Sequence, residues 1–72
     1  MKAIKLLTNG NKAIGINEYG TRFMVATTIS QLGKHEHMNC KAFATLAAAR
    51  REVALRVKSF REVGCPGEFK AA

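Results

Sequence analysis

At 72 residues, with 47% hydrophobic and 24% charged side chains, the chain has the composition of one globular domain, which excludes disorder throughout and a second domain. Twelve lysines and arginines against five carboxylates leave a net charge of +7, so the expected partner is a polyanion: nucleic acid, an anionic membrane surface or an acidic protein face. No apolar run approaches the ~18 residues of a membrane span, and Met1 to Lys5 lead into too short an apolar stretch for a signal peptide, so a cytoplasmic protein without a membrane partner is expected.

The first half of the chain has period-two texture. Lys2 to Leu7 places Ile4 and Leu6 on one face and Lys5 on the other. Thr8-Asn9-Gly10-Asn11 follows, and its Asn-Gly pair accepts positive φ, which predicts a hairpin. Lys12 to Asn17 puts Ile14 and Ile16 on one face, Glu18 to Thr21 turns the chain, and Arg22 to Ile29 alternates around Phe23, Val25 and Thr27. After a polar loop from Ser30 to Lys34, His35 to Lys41 is a weaker fourth strand, because only Met38 and Cys40 offer apolar side chains on one face.

The period then changes to 3.6. Thr45 is a good N-cap, since its hydroxyl can accept from a free N–H of the first turn, although Ala48 denies it a capping box. From Leu46 to Val63 there is neither glycine nor proline, and Leu46, Ala49, Val53, Val57 and Phe60 form one apolar stripe. Gly64, Pro66 and Gly67 stop the helix. The expected fold is α+β: an antiparallel meander of three or four strands covered on one face by a single C-terminal helix, with residues 1–63 as the domain and 64–72 as a flexible tail.

A sheet covered on one side leaves the other open, and strict alternation assigns Lys5, Asn17, Arg22, His35, His37 and Lys41 to that side, among small residues such as Gly15 and Ala26. Cations and amides bind phosphates and base edges, so this face is the first candidate for contact with nucleic acid, DNA before RNA. Arg50, Arg51, Lys58 and Arg61 lie along one flank of the helix and could add phosphate contacts. Leu55 points nearly opposite the core stripe and is a candidate homodimer contact on the outer helix face. His35, Glu36, His37 and Cys40 lack the paired spacing of a zinc site, Cys40 and Cys65 are expected as free thiols, and no glycine-rich phosphate loop or nucleophile pair stands out. No cofactor, metal or catalytic function is expected.

The stretch Gly20-Thr21-Arg22-Phe23-Met24-Val25-Ala26, followed by a loop, a strand and Phe43-Ala44-Thr45-Leu46-Ala47-Ala48-Ala49, resembles the AP2-like and integrase N-terminal (arm-binding) DNA-binding domains. Phe23 stands at the aromatic position of the middle strand, Phe43 and Thr45 at the strand-to-helix junction, and Ala49 at the small residue packing helix to sheet. The resemblance covers about residues 14 to 60. It implies three antiparallel strands backed by a helix, with the open face in the DNA major groove, and Arg22, His37 and Lys41 as contact residues. By the same analogy the setting is a phage or mobile element. Small phage proteins that inhibit host defence or nucleic-acid-processing complexes, anti-CRISPR-like proteins among them, also look like this, and they would use the same face against an acidic host protein.

Overall fold

Two glycines with left-handed backbone set the meander. The computed structural model describes residues 2–31 and 33–72, and their side chains except at 35–37. Strand β1 (Lys2–Asn9) turns into β2 (Lys12–Tyr19) through Gly10 and Asn11, and β2 turns into β3 (Arg22–Gln31) through Gly20 and Thr21. Gly10 and Gly20 each take φ of 61° at the first position of a two-residue loop, where a positive φ matches the twist of the flanking strands. The loop is thus Gly10-Asn11 rather than the expected Asn9-Gly10, and Asn9 becomes the last residue of its strand.

Strand β4 (Lys34–Phe43), α1 (Leu46–Glu62) and a short β5 (Lys70–Ala71) complete the chain. The sheet runs β4-β3-β2-β1-β5, antiparallel throughout. This is the expected α+β meander with one covering helix, to which β5 adds a minor strand.

The helix begins and ends where its caps dictate. Thr45 has extended backbone, and its Oγ1 accepts from the Ala48 N–H at 3.2 Å. At the other end Val63 and Gly64 donate to the carbonyls of Ser59 and Arg61, and Gly64 adopts φ of 83°, a conformation that costs glycine least.

The core lies between one sheet face and the helix stripe. Ile14, Ile16, Val25, Ala49 and Val53 are buried, with Ile4, Leu7, Phe23, Phe43, Leu46, Val57 and Phe60 packed around them. Each buried valine or isoleucine contributes about 1.5–3 kcal/mol relative to exposure, so this thin layer carries most of the stability of the domain.

Residues 64–72, expected as a tail, fold back along β1. Leu7 pairs with Ala71 and Thr8 with Lys70, and the Ala72 N–H donates to the Leu6 carbonyl at 3.1 Å. Phe69 meets Phe60 with ring centroids 5.3 Å apart, which extends the core beyond the helix. Asn9, freed from the hairpin loop, donates from Nδ2 to the Pro66 carbonyl at 3.1 Å. Among the described residues no helix is long and apolar enough to cross a membrane.

Two substitutions test this packing. Val53→Asp places an unpaired carboxylate under the sheet, at a cost of several kcal/mol against a total of about 5 kcal/mol for so small a domain, so far-UV circular dichroism should show an unfolded chain. Gly67 has φ of 80°, and a Cβ there would stand 2.8 Å from the Asn9 Oδ1. Gly67→Ala should therefore lower stability by about 1–2 kcal/mol in urea titration, through backbone strain and loss of the Asn9 contact.

Candidate nucleic-acid interface

Strand register decides which side chains share a face, and two bulges change the expected assignment. In β1 the register shifts between Ala3 and Lys5. Ile4 and Leu7 both pack against the core, yet three residues apart they cannot share a face of a regular strand. The bulge resolves that conflict. Its consequence is that Lys5 pairs with buried Ile16 and lies on the helix side, while Leu6 pairs with Gly15 on the open side and is 47% exposed.

The second bulge lies in β4, where the register shifts opposite the Val25-to-Thr27 step of β3. Asn39 there takes φ of 53°, a left-handed conformation that asparagine tolerates better than most residues. Lys41 consequently pairs with buried Val25, and its Nζ stands 5.5 Å from the centre of the Phe43 ring. The expectation that Lys5 and Lys41 occupy the open face is therefore corrected: both belong to the helix side.

Asn17 and Arg22 remain on the open face as expected, through register with Met24 and Tyr19. Strand positions 35 and 37 pair with Ser30 and Thr28, which also places them on that face, while the two histidine side chains lie outside the described residues. Of the twelve cations only Arg22 and Lys70 register with the open side, Lys70 through its pairing with Thr8.

The positive charge gathers instead where β1 runs beside the helix. Lys5, Arg50, Lys58 and Arg61 line a shallow groove of about 460 Å³. Its floor is apolar, made by Leu7, Val53, Ala54 and Val57. Glu62 approaches Lys58 at 3.9 Å, but both side chains are about two-thirds exposed (71% and 65%), so the pair neutralises little. Among the described residues no carboxylate pairs with Lys5, Arg50 or Arg61. Arg51 is exposed on the outer helix surface, away from the groove. Leu55 is exposed on the helix as expected.

One helix cation has a different task, which sequence alternation does not flag. The Arg56 guanidinium donates from Nε to Glu52 Oε2 at 2.8 Å, from Nη1 to Thr27 Oγ1 at 3.1 Å, and from Nη2 to the Asn39 carbonyl. Its side chain is only 10% exposed. It ties α1 to β3 and to the β4 bulge, and it satisfies the buried Thr27 hydroxyl. The signal available in the sequence is the i,i+4 spacing of Glu52 and Arg56 on the helix. Cys40 and Cys65 are both free, and among the described residues no three metal-ligating side chains come together.

The site is therefore a basic flank on an α+β sheet-and-helix domain. No family model, curated protein or solved structure matches the chain.

Arg56→Leu removes the fork and leaves Glu52, the Thr27 hydroxyl and the Asn39 carbonyl without their partner. The expected loss is about 2–3 kcal/mol, seen as a fall in Tm of about 10 °C or more in a domain of this size. Arg56→Lys keeps the charge but cannot reach three acceptors in a plane, so it should recover only part of the loss.

Proposed function

We propose that the protein is a binder of nucleic acid that grips the phosphate backbone through the β1–α1 flank, with Lys5, Arg50, Lys58 and Arg61 as the contact residues. The observation that supports this is the groove itself: four cations around an apolar floor, three of them without a carboxylate partner among the described residues. Long cationic side chains beside Ala54 can reach successive phosphates, and the apolar floor suits sugar rings. The net charge of +7 adds long-range attraction to the same ligand.

The resemblance to AP2-like and integrase arm-binding domains favours DNA and a phage or mobile-element setting. With Lys5 and Lys41 on the helix side, the flank supplies the greater share of the phosphate contacts in this proposal.

Fluorescence anisotropy with a duplex separates the two surfaces. Arg50→Ala with Arg61→Ala removes two exposed cations without touching the core, so the fold should stay intact while affinity falls. The slope of log affinity against log salt should flatten by about 1.8, at ~0.9 per phosphate. Arg22→Ala with Lys70→Ala should leave that slope nearly unchanged. The opposite pattern would move the interface to the open sheet face. A wild-type protein without measurable duplex affinity at about 50 mM salt, where basic domains bind non-specifically, would remove nucleic acid as the ligand. An acidic host protein, the target of a phage-type inhibitor, would then be the partner to seek.

A further inference from the structure

We propose that the open face of the sheet is the contact surface between two copies of this chain, stacked sheet on sheet about a two-fold axis. The described side chains at the centre of that face carry no charge. Leu6, Gly15 and Ala26 form one row across three strands, flanked by the Ala13–Thr28 and Asn17–Met24 pairs. Leu6 lies beside Gly15, where a Cβ would meet its Cδ1 at 3.5 Å, an ordinary van der Waals distance.

Charge is confined to the border. Arg22 sits at a hairpin end and Lys70 on the β5 edge. The described carboxylates lie elsewhere: Glu18 pairs with Phe23 on the helix side, and Glu52, Glu62 and Glu68 belong to α1 and the segment after it; strand position 36 pairs with Ile29, also on the helix side. An uncharged centre inside a polar rim is the anatomy of a protein interface, whereas a polyanion would meet only two formal cations here.

The dimensions agree. Four strands ~4.8 Å apart and about eight residues long at ~3.3 Å each cover roughly 500 Å² per copy, so a pair that covers the whole face buries about 1,000 Å², the lower bound for a specific contact. Among the described residues only five hydrophobic side chains are buried. A domain this small gains much from a second covered face. The occupant is a second copy because a two-fold axis sets the small central residues against their own counterparts, with no need for a complementary shape.

Sedimentation of the full chain from about 1 to 200 µM, the range of weak specific dimers, tests the proposal. Wild-type protein should pass from monomer to dimer, and added salt should strengthen the dimer by screening the like-charged rims. Ala26→Glu should weaken it ~100-fold or more, because the axis brings two carboxylates together in an uncharged centre. Leu55→Glu on the outer helix should leave it unchanged. Dilution of the wild-type protein followed by NMR gives the same answer without a variant: amide signals of Gly15, Met24 and Ala26 should shift, and those of Arg51 and Leu55 should not. A monomer at every concentration, a dimer that survives Ala26→Glu, or shifts confined to the helix would overturn the proposal. So would open-face shifts that appear only when duplex DNA is added.

Discussion

The architecture depends on one guanidinium. Arg56 reaches from the middle of α1 to the Thr27 hydroxyl on β3 and to the Asn39 carbonyl on β4, while Glu52 on its own helix holds it in place. A planar fork with donors in fixed directions serves three acceptors at once, which a lysine could not do. Because the carbonyl it takes is that of the left-handed residue in the bulge, the arginine and the bulge stabilise each other. The bulge in turn decides that Lys41 and Phe43 lie on the helix side, and Phe43 helps to close the end of the core where the chain enters the helix.

Much of the fold was legible in the sequence because its determinants are local. Both hairpins follow from a glycine between alternating segments, and the helix follows from Thr45, the apolar stripe and Gly64. Even the burial of Thr27 beside Val25 follows from parity. The candidate site was less legible, since a face assignment built on period two inverts at each bulge. Lys5 and Lys41 lie just after the two bulges, and both changed sides. In β1 the spacing of Ile4 and Leu7 carries the signal, because two residues that must both enter the core cannot be an odd number apart in a regular strand. In β4 the signal is fainter: an asparagine can accept positive φ, but the partner that rewards it is an arginine 17 residues away. The docking of residues 64–72 depends on Asn9 and Phe60, far away in the chain, and no local pattern announces it.

The two sides of the sheet consequently differ in chemistry. The helix side gathers all but two of the cations and holds the basic groove, whereas the open side has small uncharged residues in its middle. A bulge of one residue thus does more than bend a strand. By moving Lys5 across the sheet it adds a fourth cation to the groove and, in the same step, removes a charge from the open face. Had β1 been regular, Leu6 would have entered the core, and a lysine would have stood beside Gly15.

The pairing of β5 with β1 has a consequence for synthesis. The strand of this sheet that is synthesised earliest is the one whose outer edge is covered last, because Leu7 waits for Ala71. At ~5–20 residues per second that interval is on the order of 3–13 s, long compared with the microseconds a hairpin needs to form. During it the nascent sheet carries a bare edge, the feature by which strands recruit other chains. The amino-terminal part of that edge has its own protection, since Lys2 and Lys5 flank the bulge at Ile4, and charge and irregular backbone both discourage a foreign strand from pairing there. The part without a lysine, around Leu7, is the part that β5 later covers.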